Sequence, residues 1–194
     1  HIDSLKYWSF AKVLDEVSKT IPIKVTTVTN CQKKTSEALS NIGIKNIQLE
    51  HKRWSFKDVV SDISEFDICI VPNCKNISKT TFVPKENSNI GEYKTDYVLR
   101  FKNKSNAGRA FVAYQLGVPV ITDLTPSNMP MQHDSTCGFI VDGGNAFYNA
   151  LSVLLDHQNR NIIATNAHKR FNEIYSFKGD LLRLVQMFKN WKVT

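Results

Sequence analysis

The chain has 194 residues, 42% hydrophobic and 22% charged, with a formal net charge of +7 and a pI near 9.2. That length suits one domain, or one domain with an appendage, and a chain of this size can bury a core without disulfide or metal staples. No apolar run approaches the roughly 18 residues of a membrane-spanning helix, and no signal-peptide pattern opens the chain.

The positive balance favours anionic partners: nucleotides, phospholipid headgroups or nucleic acid. The lysines and arginines are scattered, however, and the aromatic-interleaved signatures of RNA-binding modules are missing, so nucleic acid is not expected. The basic balance also suits peripheral contact with an anionic membrane, although no segment reads as a sharply basic amphipathic helix. The cysteines are Cys31, Cys69, Cys74 and Cys137. They form no CxxC pair and have no histidine at zinc spacing, so no metal site is expected. Reduced thiols and a cytoplasmic location, at most peripheral to the inner face of a membrane, are the corresponding expectation. Asn76-Ile77-Ser78 and Asn103-Lys104-Ser105 match a glycosylation tripeptide that often arises by chance.

The chain begins at His1 with no Met, and helical spacing is present by Leu5. An α/β domain normally opens with a strand, so the start reads as a piece whose preceding residues are missing, or as a trimmed end. Apolar residues from Leu5 to Lys19 fall mostly on one helical face. "IKVTTVT" (23–29) is β-branched and reads as a strand. Gln32 to Ser40 suggests a short helix, and Ile47 to Leu49 a short strand. Ser55 to Ile63 reads as a helix capped by Ser55, with Asp58 favouring its positive start. "FDICIV" (66–71) is a continuous apolar run of the kind found in buried parallel strands. Residues 74–103 form a long polar stretch, which loops of this length make functional or mobile.

A helix follows from Ser105 or Asn106 to Leu116, ended by Gly117 at the C′ position. Val118 to Thr122 is a strand, "DLTPSNMP" a loop, and Gly138 to Val141 another strand. Asp142-Gly143-Gly144 reads as a turn, and Asn145 as the cap of a helix to Leu155. Arg160 to Tyr175 and Lys178 to Trp191 close the chain as helices. Strands and helices thus alternate at intervals of roughly 25 to 35 residues, which predicts βαβ units, a Rossmann-like parallel sheet and helices on both faces. In such sheets ligands bind beyond the carboxyl ends of the strands.

The stretch "KSNAGRAFVAYQLGVPVIT" (104–122) bears on function. A helix start offers unpaired N–H groups and a positive dipole end, and phosphate binds there readily. Lys104, the Ser105 hydroxyl, Asn106, Gly108 and Arg109 would surround such an anion. Cations at a helix start oppose the dipole, so this composition favours an anion. The alternative is a capped helix with solvated cations.

This stretch resembles the phosphate-binding helix of GT-B glycosyltransferases of the group 1, or family 4, type, in which a Lys-Ser, an Arg and "ALGxPVI" open the fourth βα element of the C-terminal domain. "RWSFKDVVSDISEFDICIVPN" is similar to their short helix and "FDI…P" strand. "GFIVDGGNAFYNALSVLLDHQNRNIIATNAHKRFNEIYSF" is similar to their later strand, turn and helices, and "DSLKYWSFAKVLDEVSK" to the helix after their first C-domain strand. The resemblance covers most of the chain outside about 74 to 100 and implies one half of a GT-B fold: a single donor-binding domain over 1–194 whose N-terminal domain is absent. It implies a nucleotide-sugar donor, a glycan or lipid-linked acceptor, and no cofactor or metal. Lys104 and Arg109 would neutralise the leaving diphosphate. The nucleoside would lie toward Asn30, Trp54 and Asn73, and Thr125 and Ser127 would line the sugar or acceptor side.

Many retaining members carry two Glu residues eight positions apart on this element; here those positions are Lys104 and Val112, and one extra residue separates Ser105 from Arg109. No acid–base pair emerges: Glu86, Glu92, Asp96, Asp123 and Asp142 read as solvated, and His133 and Asp134 are sequence neighbours only. The catalytic residues are therefore unassigned. Two alternatives stand beside the donor domain. One is a non-catalytic nucleotide-binding or protein-interaction module of the same fold, whose partner surface would include Tyr7, Trp8 and the last helix with Trp191, where an absent domain docks. The other is a sugar-nucleotide epimerase relative.

Overall fold

The computed structural model describes residues 11–42, 44–72, 108–123, 126–141 and 143–191. In chain order the elements are α1 (Ala11–Val17), β1 (Lys24–Thr29), α2 (Gln32–Ile42), β2 (Gln48–Arg53), α3 (Val59–Ser64), β3 (Cys69–Val71), α4 (Gly108–Gln115), β4 (Val120–Asp123), a 3-10 turn (Pro126–Asn128), α5 (Met129–Gln132), β5 (Phe139–Val141), α6 (Gly144–Leu155), α7 (His157–Ile174) and α8 (Phe177–Asn190). The five strands pair in two groups, β1 with β2 and β3-β4-β5, and every pairing is parallel. The expected Rossmann-like α/β architecture is present, with the strands hydrogen-bonded as two parallel sheets rather than one ladder among the described residues.

β4 is the middle strand of the second sheet, and its side chains alternate between two cores. Ile121 joins a cluster with Leu14 of α1 and with Phe147, Leu151 and Leu154 of α6, against which Ile70 and Phe139 of the neighbouring strands also pack. Val120 joins a second cluster with Val71, Ala113 and Tyr114 of α4, Met131 of α5 and Phe171 of α7. Opposite faces of one strand thus carry helices, as a doubly wound sheet requires. α7 serves both sides: Ile163 lies in the first cluster, Ala167 and Phe171 in the second. Residues of the first sheet, Val25 and Leu49, pack against the first cluster, so the two sheets share a core.

Several elements differ from the sequence reading. β2 runs to Arg53, beyond the expected Leu49, because its polar side chains find partners on β1 and α2: Lys24 pairs with Glu50, and His51 Nδ1 meets Thr27 Oγ1 while its Nε2 meets Ser36 Oγ of α2 at 2.7 Å. The helix expected from Ser55 begins at Val59, since the Ser55 hydroxyl accepts from Lys57 N and holds a turn there instead. Of "FDICIV" only Cys69–Val71 pairs, matching the three β4 residues available to it. Within "DLTPSNMP" a 3-10 turn leads into α5, with proline in its first turn. α6 starts at Gly144 with Gly143 as its N-cap, not at Asn145.

The connection from α5 to β5 is locked by buried polar contacts. Gln132 is 2% exposed. Its Nε2 donates to Val120 O at 3.0 Å and Phe139 O at 3.2 Å, and its Oε1 accepts from Thr122 Oγ1 at 2.8 Å. Gly138 takes φ +137°, and a Cβ there would lie 2.6 Å from Val120 O and 2.9 Å from Gln132 Nε2. Next to this, Arg170 of α7 donates to both Asp134 oxygens, at 3.0 and 2.7 Å, and Thr136 donates to Asp134 through its amide and hydroxyl. The Arg170 bonds, then those from Thr136, hold the Asp134 carboxyl well below the usual carboxylate range.

Two outcomes are expected. Gly138→Ala combines a disfavoured φ with a backbone clash and should cost about 1–3 kcal/mol; the urea midpoint should fall with the slope unchanged. The depressed folded-state pKa of Asp134 contributes stability that is fully present above its unfolded value, about 3.9, and is lost as the pH drops below it. Asp134→Asn should therefore lower the urea midpoint at neutral pH and flatten its decline below about pH 4.

Candidate functional site

The carboxyl ends of β3 and β4 lie side by side, Val71 opposite Thr122. α4 starts beside them. Its buried side, Ala110, Ala113 and Tyr114, rests in the second cluster, and small residues at 110 and 113 let the helix approach the sheet closely. Gly117, at φ +69°, ends the helix in a Schellman arrangement: Val118 N donates to Ala113 O at 2.9 Å and Gly117 N to Tyr114 O at 3.1 Å. Phe111, Phe171 and Tyr175 pack ring against ring between α4 and the end of α7, with Phe111 and Tyr175 centroids 4.5 Å apart.

These contacts fix where the first turn of α4 projects. Arg109 reaches across the end of β3, its Nη1 donating to Pro72 O at 3.4 Å. Partial desolvation lowers the Arg109 pKa from its ordinary value, while Asp123 at the end of β4 and Cys69 in β3 act in the opposite sense. Arginine remains charged after such a shift. Burial pushes the Cys69 thiol up to about 12, with Arg109 opposing, so this sulfur is a packing group rather than a nucleophile. The arrangement is a guanidinium at the carboxyl end of β3, beside the central strand β4, at a helix start whose dipole is positive. It can bind an anion and stabilise negative charge that develops on it.

Of the residues singled out in the sequence, Gly108 and Arg109 lie together at this helix start. Ser127 lies half-buried on the 3-10 turn after β4. Asn30 is exposed directly after β1, and Trp54, 43% exposed, directly after β2. Lys104, Ser105, Asn106, Asn73 and Thr125 lie outside the described residues, as do Glu86, Glu92, Asp96 and Asp142. His133 Nε2 is 3.7 Å from Asp134, whose carboxylate is committed to Arg170.

Two features escaped the sequence reading. Asp123, read there as a solvated strand-end acid, is half-buried and electrostatically coupled to Arg109. The Pro72 carbonyl, as an acceptor for Arg109, depends on a contact 37 positions away in the chain. The one available signal was that Asp123 follows the apolar "VIT" directly, at the end where a parallel sheet faces its ligand.

No protein-family model and no curated protein matches the sequence. Among solved structures the chain is similar to Alr3699/HepE of Anabaena, crystallised in complex with UDP and glucose, with a TM-score of 0.60 and 13% identity over 95% of this chain and 46% of that one. The chain thus spans less than half the length of that protein. At this identity the likeness is one of fold: parallel sheets flanked by helices, as in half of a GT-B architecture.

Proposed function

We propose that this chain is the donor-binding domain of a GT-B glycosyltransferase, of the group 1 or family 4 kind, and that it binds the diphosphate of a nucleotide sugar at the start of α4. The observation that carries the reading is Arg109, held over the carboxyl ends of β3 and β4 and coupled to Asp123. The fold likeness to a protein crystallised with UDP and glucose supports it. Lys104, the Ser105 hydroxyl, Asn106 and the backbone at Gly108 complete the proposed anion cradle. Asn30, Trp54 and Asn73 are the proposed nucleoside side, and Thr125 and Ser127 the sugar or acceptor side. The acceptor is a glycan or a lipid-linked sugar.

In this reading Arg109 and Lys104 stabilise the negative charge that grows on the diphosphate as the glycosidic bond breaks, without a metal ion. Arg109 can bind two phosphate oxygens at once, a geometry lysine cannot reproduce. A second reading, a non-catalytic nucleotide-binding module of the same fold, is favoured by one observation: Lys104 and Val112 stand where many retaining members carry glutamates.

Calorimetric titration with UDP, GDP, ADP and CMP tests the site. One nucleoside diphosphate should bind selectively. Arg109→Ala should weaken it by about 1.5–3 kcal/mol, the value of a hydrogen bond to a charged group, and Arg109→Lys should restore only part of the loss. Equal affinity in the wild type and both variants would sink the assignment. Binding without sugar transfer by the full-length protein would favour the non-catalytic reading.

A further inference from the structure

Strand and helix bring one carboxylate to the candidate anion site. The ladder between β3 and β4 ends at the pair Val71–Thr122, and one step further the same register sets Pro72 beside Asp123. Arg109 Nη1 donates to that Pro72 carbonyl at 3.4 Å, so the guanidinium and the carboxylate stand at one corner of the rim. Among the described residues Asp123 is the one carboxylate whose charge acts on Arg109. Its Oδ1 is shut away from solvent, while the residue as a whole is half-buried. Asp134, Glu50 and Asp62 are committed elsewhere, to Arg170, Lys24 and Lys52.

A carboxylate in this place is ill suited to a site that takes phosphate alone, because it repels the anion and competes for the guanidinium. It suits a ligand that is anionic at one end and rich in hydroxyls at the other. An ionised carboxylate only accepts, with two oxygens and about four lone-pair sites, and a hydroxyl donating to it makes a charge-assisted bond. Asp123 also leads into the segment that holds Thr125 and Ser127, the proposed sugar or acceptor side. The positions at which many retaining members carry glutamates hold Lys104 and Val112 here, so an acid at this site comes from a different element, the end of β4.

We propose, resting on the donor-site reading, that Asp123 makes the site distinguish the sugar-bearing donor from the free nucleoside diphosphate: its carboxylate accepts hydroxyl hydrogen bonds from the sugar and repels the added charge of the diphosphate that lacks it. The two ligands differ in both respects. The sugar ester brings hydroxyls and has no second ionisation on its terminal phosphate. The free diphosphate has no sugar and carries about one more negative charge at neutral pH, since that second ionisation lies near pH 6. Both differences favour the donor.

Calorimetric titration of the full chain with each free diphosphate beside its sugar ester tests this: UDP with UDP-glucose, GDP with GDP-mannose, ADP with ADP-glucose. In the pair that binds, the sugar ester should bind more tightly. Asp123→Asn keeps the shape and one acceptor oxygen but removes the charge; it should tighten the free diphosphate about threefold, the effect of a nearby unit charge in high dielectric. Asp123→Ala removes the acceptors as well and should cut the preference for the sugar ester by about tenfold or more, the loss of one hydrogen bond to a charged group. Circular dichroism should be unchanged in the Asn variant. An unaltered preference in both variants, or equal weakening of both ligands as a purely structural role would give, overturns the role of Asp123 and leaves the donor site standing. Binding of none of these ligands, or binding that Arg109→Ala leaves intact, overturns the donor site and the role of Asp123 together.

Discussion

The alternation of side chains along β4 is the constraint from which the second sheet and its edge follow. Val120 and Ile121 are both fully buried, yet they belong to different cores on opposite faces. A slip of one residue would exchange the two faces and put each side chain against the wrong helices. Parallel pairing carries the alternation to both neighbours: Ile70, Ile121 and Phe139 share one side, Cys69 and Val120 the other. Gln132 guards the register, because its amide reads the carbonyl of Val120, the hydroxyl of Thr122 and the carbonyl of Phe139 together. Its position demands the absence of a side chain at residue 138.

With β4 held in place, the edge of the sheet is determined. Asp123 follows Thr122 directly, so its height at the rim is a consequence of the core beneath it. α4 is eight residues long; its far end is pinned by the Gly117 turn, and its first turn by the ring contacts of Phe111 with Phe171 and Tyr175. A helix that short, rising about 1.5 Å per residue, leaves its first turn little latitude. The position of Arg109 is thus set by packing along its helix, from Ala110 and Phe111 beside it to the Gly117 turn. Its contact with Pro72 O is where the two constraints, strand and helix, meet.

Much of this fold was legible in the sequence because it is written in local chemistry. Gly117 after an apolar helical stretch announced the end of α4, and the β-branched run 23–29 announced β1. What could not be read depends on partners distant in the chain. "QLEHKR" looks polar and non-alternating, and it becomes a strand because Lys24, Thr27 and Ser36 supply partners for Glu50 and His51. "FDICIV" looks like six residues of strand, but β4 offers ladder positions to only three. Met129–Gln132 follows Pro126 and contains Pro130, prolines that suggest a loop. At the candidate site Arg109 stood out from its position at a helix start, whereas the coupling of Asp123 to it arises only when two separate elements are brought to one edge.

The electrostatics of that edge separate binding from chemistry. A cation at a helix N-terminus opposes the dipole, and desolvation adds to the penalty on Arg109. Asp123 opposes part of this, and the guanidinium keeps its charge throughout. An incoming diphosphate would bring more negative charge than one carboxylate and would find donors already oriented, so little reorganisation would be needed as charge grows on it. A guanidinium stays protonated near neutral pH and cannot act as a general base. Within the proposed reaction Arg109 therefore serves the leaving group alone, and removing a proton from the acceptor falls to a different group. The chain spans less than half of its structural neighbour, and a base on a separate domain would meet the donor at this rim, the side on which Arg109 and Asp123 stand.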